Sequence, residues 1–308
     1  MTIKPQDIRF GIEIEPTRLS REQCARAIHS VVGGELIHYG MRVQMEDGRI
    51  WKAVSDGSIQ SPNGRSAEVV SPICHYSDIE QVQQIVRALR AAGARVNSSC
   101  GIHVHCDFGA FSHDGKNAAK TVRNLAKMVH KNDELITAAL GISDTRRDIW
   151  DGWCWYTKTS FVDAISNERN LTLERLRAHW YAQPGRGNRG TCEYGSTSHY
   201  NGSRYHGLNL HNIWFRGTVE FRWFEATLHA GEVKSYIQLC VCLAAKAINS
   251  RSASAAKRPV RTESSKYDFR CFLLELGMKG DEFKTARLHL TKNLTGDTAY
   301  KGERPEGR

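Results

Sequence analysis

The 308-residue chain has no two cysteines at C-x-x-C spacing, no internal repeat, and no apolar run near the roughly 20 residues that a membrane helix requires. Its opening, MTIKPQDIRF, lacks the charged-then-apolar plan of a secretory signal and reads as a short leader into a first strand. These absences speak against a zinc ribbon and against a membrane partner. Its nine cysteines, an odd and scattered set, read as reduced thiols and place the protein in the cytoplasm.

What is present is enough apolar residue, 40% of the chain, to bury a substantial core. A net charge of +10 suits an anionic partner such as nucleotide phosphate, an acidic peptide or nucleic acid. Much of the excess sits at Arg146 and Arg147, around Arg186 and Arg189, and from Arg251 to Lys266, which read as solvated loops.

Periodicity predicts a strand over Arg9 to Glu15, then a helix opened by a Ser20–Gln23 capping box and closed by Gly33-Gly34. Strands follow over Ile50 to Val54 and Glu68 to Val70. A second capping box, Ser77–Glu80, opens a helix striped with Ile79, Val82, Ile85, Val86 and Leu89. A short strand is expected near Ala94 to Asn97, a strand over Gly101 to Asp107 and a helix from Lys116 to Lys131. Residues 141 to 202 read as a partly mobile insertion, with Trp150, Trp153, Trp155 and Tyr156 and a glycine-arginine loop at Gly185 to Gly190. Strands at Gly207 to Asn212 and Thr218 to Phe224 and a helix from Ala230 to Ile248 restore order. The domain reading is a catalytic unit over 1–250, a basic connection over 251–266, a helical extension over 267–295 and a disordered tail over 296–308.

The chemistry lies in three strand dyads: Glu13 with Glu15, His103 with His105, and Glu220 with Arg222. Spacing of two puts both members of each pair on one sheet face, while Ile12, Ile14, Ile102, Val104, Val219, Phe221 and Trp223 face the other. If the strands share a sheet, its polar face gathers carboxylates, imidazoles and a guanidinium, with Glu68 as a further carboxylate. Such carboxylates repel one another and raise their own pKa values unless a cation joins them. A hard cation with oxygen ligands, magnesium or manganese, answers that problem, and an arginine beside it suits a phosphate oxygen. A cross-strand ion pair is the rival account of Glu220, Arg222 and Glu68.

At these residues the sequence resembles the amidoligase branch of the superfamily of glutamine synthetase and glutamate-cysteine ligase. The matching segments are Phe10 to Glu15, Asp56-Gly57-Ser58 with Glu68 to Pro72, Cys100 to His105, and Gly217 to Arg222 with Thr227-Leu228, in that order along the chain. The resemblance implies an α+β fold, a curved antiparallel sheet like the glutamine synthetase catalytic domain with helices on its outer face. It implies ATP and Mg2+, or Mn2+, and a carboxylate joined to an amine through an acyl phosphate. Glu13, Glu15, Glu68, His103 and Glu220 would then be metal ligands, with Glu220 also catalytic. His105 would contact nucleotide phosphate and Arg222 would steady the transferring phosphoryl group. Arg204, flanked by Tyr200 and Tyr205, would take phosphate or substrate carboxylate, and Asn209 and His211 would join the site from the next strand. Glu68 stands alone as a ligand from its region, and Trp150 to Gly190, without a match, would set substrate choice.

Two other functions compete. His103-Val104-His105-Cys106-Asp107 fits the H-x-H-x-D pattern of zinc hydrolases, although Phe108 stands where a further histidine would follow. The basic stretch from Arg251 to Lys266 would suit a nucleic-acid-binding protein or a ligase acting on a nucleic-acid-linked substrate, with no recognisable motif behind it. Cys100, next to histidines, lacks an organised base.

Overall fold

The computed structural model describes residues 2–115, 117–148, 152–183, 198 and 201–302. Its eight strands are β1 (Phe10–Ile14), β2 (Glu35–Ile37), β3 (Arg42–Gln44), β4 (Ile50–Val54), β5 (Glu68–Val70), β6 (Gly101–Asp107), β7 (Leu208–Asn209) and β8 (Thr218–Glu225). They form one open, wholly antiparallel sheet in the order β2-β3-β4-β5-β1-β6-β8-β7. The helices are α1 (Arg21–Val32), α2 (Ile79–Ala91), α3 (Ala118–Leu140), α4 (Asp144–Arg147), α5 (Thr159–Asn167), α6 (Leu173–Tyr181), α7 (His211–Phe215), α8 (Ala230–Asn249), α9 (Ser265–Glu275) and α10 (Lys284–Leu290). The protein is therefore α+β, as the family resemblance implies. Among the described residues no helix is long and apolar enough to cross a membrane.

The period-2 alternation of the central strands makes the two faces chemically different. Phe10, Ile12 and Ile14 on β1, and Ile102, Val104 and Cys106 on β6, are buried in the core. Helix α8 packs on these two strands, and α2, α3 and α10 pack along α8. Each large apolar side chain so enclosed contributes about 1.5–3 kcal/mol. Helix α1 begins where the capping box predicts: Ser20 Oγ accepts the Gln23 N–H and Gln23 Oε1 accepts the Ser20 N–H.

A register shift interrupts β6 and β8. Ile102 opposes Phe224 but Val104 opposes Phe221, so β8 carries one extra residue opposite His103. The bulge lets Arg222 keep the polar face while Phe224 takes the next core position, stacked on Tyr236 of α8 with ring centroids 4.2 Å apart.

Several elements differ from the sequence expectation. No strand forms at Ala94 to Asn97, because both edges of β1 are taken by β5 and β6, and only a single bridge from Thr17 to Arg95 remains. The strand expected over Gly207 to Asn212 stops at Asn209, whose Oδ1 accepts the His211 N–H and turns the chain into α7. Helix α3 continues past Lys131, since Leu135, Ile136 and Ala139 extend its buried stripe until Gly141, at φ 64°, ends it. The entry to α2 is a 3-10 turn at Tyr76–Asp78, with Asp78 accepting the His75 N–H, in place of a Ser77 cap. The pair β2 and β3 went unread in the sequence. The described part of residues 141–202 carries α4, α5 and α6 and buries Phe161 and Trp180. Trp150, the loop Gly185 to Gly190, Tyr200 and tail residues 303–308 lie outside the described residues.

Candidate active site on the polar sheet face

The three dyads occupy adjacent strands at the centre of the sheet, where β1 pairs β6 and β6 pairs β8. Glu13 is in register with His103, and His105 with Glu220. Glu13 Oε2 lies 3.1 Å from His103 Nδ1, and Glu13 Oε1 lies 3.5 Å from His105 Nε2. Glu220 Oε1 lies 3.7 Å from His103 Nδ1 and 3.8 Å from His105 Nε2. All four side chains, with Glu15 and Arg222, are buried. The sequence thus brings residues more than 200 positions apart into one cluster, because the period-2 spacing leaves each of them no other face.

Each member is held by its neighbours. Glu15 Oε2 accepts the Gly101 N–H at 2.6 Å. Glu220 Oε1 accepts from Arg222 Nη1 at 2.7 Å, and Glu220 Oε2 accepts from Asn209 at 2.5 Å and Asn212 at 2.6 Å. Asn209 therefore supports Glu220 from behind. His105 Nδ1 pairs with Thr218 Oγ1 at 3.0 Å. His211 starts α7 and pairs with Tyr181 OH and with the Ser198 carbonyl, away from the cluster. Glu68 is joined by Asp56, which stands in a matching segment but was not expected as a ligand: ligand atoms of Glu15, Asp56 and Glu68 lie within 4.8 Å of one another. Arg216, also unread, donates from Nη1 to Glu13 Oε1 at 3.0 Å. Its position just ahead of the β8 motif was the available signal. Asp107 sits at the rim, tied to Arg9 at 2.6 Å.

The crowding shows in the protonation equilibria. Burial, followed by the nearby Glu13, pushes Glu68 up to about 9, and burial raises Glu15 to about 7. Burial would raise Glu13 too, but His105 and His103 overcome it and hold Glu13 well below the usual carboxylate range. Burial likewise opposes ionisation of Glu220, and Arg222 outweighs it, bringing Glu220 to about 2. Burial and then Arg222 lower His103 to about 4, leaving it a neutral donor atom. In His105 burial is outweighed by Glu13 and Glu220, which raise it.

Three groups of ligand atoms lie close enough to share a cation: Glu13 with Glu68 and His103, Glu13 with His105 and Glu220, and Glu15 with Asp56 and Glu68. The donor set fits a divalent ion on a direct observation. His105 Nε2 is buried without a hydrogen-bond partner and faces carboxylate oxygens of both Glu13 and Glu220. A fourth group, His229, Glu232 and His289, lies outside the cluster. There Glu232 pairs with Lys292, and His229 Nδ1 accepts the Glu232 N–H to cap α8.

Clefts open at both ends of the cluster. One, of about 270 Å3, lies toward the Phe10 end of β1, with Gly11, Pro72, Ile73, His105, Arg216 and Thr218 in its wall. The other, of about 480 Å3, is lined by Glu15, Asp56, Glu68, His103, Arg146, Trp153, Arg204, Tyr205 and Arg222. Arg204, with Tyr205, thus faces the site. Burial, then Arg222, lowers the Arg204 pKa. Cys100 is buried, its thiol pushed up by burial, which leaves it a poor nucleophile.

The fold is α+β, and the candidate site residues gather on the polar face of its single antiparallel sheet. The model of the family described as "Putative amidoligase enzyme" matches residues 6–244, and the chain belongs to that family. Among solved structures, a bifunctional glutathione synthetase from Pasteurella multocida is similar at 11% identity and a TM-score of 0.41, over 92% of this chain and 48% of that one. The chain thus spans about half the length of that enzyme. Comparison with curated proteins returns no match.

Proposed function

We propose that the protein is an ATP- and Mg2+-dependent carboxylate–amine ligase that works through an acyl phosphate, on a sheet of the glutamine synthetase catalytic type. The observation that carries this reading is the convergence of Glu13, His103, His105 and Glu220 in one buried cluster, with His105 Nε2 facing both carboxylates and making no hydrogen bond. Glu13, His105 and Glu220 would hold one ion, Glu13, Glu68 and His103 a second, and Glu15, Asp56 and Glu68 a third. His105 moves in this reading from phosphate contact to metal ligand. ATP with its metal ions supplies the phosphoryl group that activates the carboxylate and the charge that neutralises the transferring oxygens.

The chain's own part is positioning and charge. Pro72 and Ile73 give the smaller cleft an apolar wall suited to a base, and Arg216 and Thr218 offer donors to phosphate. Arg204, Arg146 and Arg222 line the larger cleft and suit the substrate carboxylate and the charge that develops beside it. Asn209 and Asn212 orient Glu220, so its Oε1 stays aimed at the two histidines. Trp153 and Tyr205 stand where residues 141–202 meet the larger cleft, in keeping with that region choosing the substrate.

The test is ADP release with Mg2+ across a panel of carboxylates and amines. Turnover should require both substrates and disappear in Glu13→Gln and in Glu220→Gln. Zinc-dependent hydrolysis without nucleotide, unaffected by these substitutions, would reverse the reading in favour of a hydrolase.

A further inference from the structure

Arg216 has no place in the ligand set, yet it reaches the centre of it. It follows α7 directly, its backbone N–H donating to the Asn212 carbonyl at 2.8 Å, and Gly217 at φ 70° then turns the chain into β8. From that corner its guanidinium donates at 3.0 Å to Glu13 Oε1, the same oxygen that lies 3.5 Å from His105 Nε2. Glu13 is buried, whereas the Arg216 side chain is 40% exposed along the smaller cleft. The other arginine of that cleft, Arg9, is held by Asp107 at 2.6 Å.

We propose that Arg216 is a positioning residue with two alternative partners: it competes with the divalent cation for Glu13 Oε1, and it pairs with the anionic phosphate that enters the smaller cleft beside that cation. The inference rests on the cation reading above. A guanidinium and a metal ion drawing on one carboxylate oxygen repel each other, so cation binding favours turning Arg216 outward. Its exposed side chain and the open cleft give the guanidinium room to turn, and a phosphate oxygen offers it a bidentate acceptor. The arrangement couples the two ligands. An anion that draws Arg216 away strengthens the cation site, and a bound cation frees Arg216 for the anion.

The experiment measures Mn2+ binding by titration calorimetry to the full chain, alone and with tripolyphosphate, in wild type, Arg216→Gln and Arg216→Lys. Arg216→Gln should bind Mn2+ alone roughly three- to tenfold more tightly than wild type, because the competing charge is gone. It should also bind tripolyphosphate more weakly and lose the enhancement of Mn2+ affinity that the anion gives wild type. Arg216→Lys keeps the charge and should stay near wild type for Mn2+ alone. A structural role for Arg216 would loosen the site, so Mn2+ affinity that falls or stays unchanged in Arg216→Gln overturns the proposal. So does unchanged coupling. Failure of the wild type itself to bind Mn2+ would sink the cation reading, and this inference with it.

Discussion

Replacing Glu220 by glutamine changes one atom and removes the charge that balances Arg222. Glu220 is 2% exposed and Arg222 4% exposed, and their contact is 2.7 Å. In the variant the guanidinium stays buried and loses its anionic partner, a defect that costs about 3–5 kcal/mol in buried ion pairs. The amide brings a second penalty. Set with its oxygen toward Asn209 and Asn212, it points an NH2 at Arg222, and set the other way it points one at two donors. Relief of the repulsion between Glu13 and Glu220 offsets part of this, so a net loss of about 2–4 kcal/mol is expected. Urea unfolding at neutral pH without metal reads it as a lower midpoint at unchanged slope. A cycle with Arg222→Met isolates the pair: the double variant should recover at least half of the loss, since it leaves no unpaired charge behind. A single-variant loss under about 1 kcal/mol, or a double variant as unstable as the sum of its parts, would refute the view that Glu220 and Arg222 form a strongly coupled buried pair in the metal-free protein.

Two further outcomes follow from the geometry. Glu68 at about 9 and Glu15 at about 7 keep protons in the folded protein that the unfolded chain releases near 4.5, so stability should fall as pH rises across that window. Urea midpoints at about pH 6 and pH 8.5 should therefore differ in favour of pH 6, and the gap should shrink in Glu68→Gln; an equal gap in both proteins speaks against the burial of Glu68. In Gly207→Ala the new Cβ would lie 2.3 Å from Trp223 and 3.0 Å from Cys154 Sγ, and the loss of about 1–3 kcal/mol should appear as early thermal unfolding, whereas a neutral result would mean that Trp223 moves freely.

The central strands were legible because their chemistry and their periodicity agree. Glu13, His103 and Glu220 alternate with Ile12, Ile14, Ile102, Val104 and Val219, which leaves one orientation for each strand. Helix α1 was legible for a similar reason, since its capping box satisfies two otherwise orphaned N–H groups. What was hidden depends on partners distant in sequence. Whether Arg95 lies in a strand is decided by β5 and β6 having already filled the edges of β1. The end of β7 is decided by one side-chain bond from Asn209. Strands β2 and β3 are three residues each, too short to display a period. Arg216, and the ligand role of Asp56, escaped notice because each residue sits beside a strand rather than on one, where spacing says nothing about direction. The bulge in β8 was invisible for the same reason as Arg95, since it exists only against His103 of its neighbour.

That single extra residue has a wider bearing on how the protein can change over time. Upstream of it, β8 presents Glu220 to the polar face; downstream, the phase of the strand is reversed, so Phe224 joins the oily interior at a position that strict alternation would have made wet. Losing or gaining one amino acid in a surface loop merely lengthens or shortens a detour, but the same event here would transpose the two sides of the strand, drowning an aromatic ring and burying a charge in one step. An insertion or deletion at the kink would therefore exchange the core-facing and site-facing positions of the end of β8.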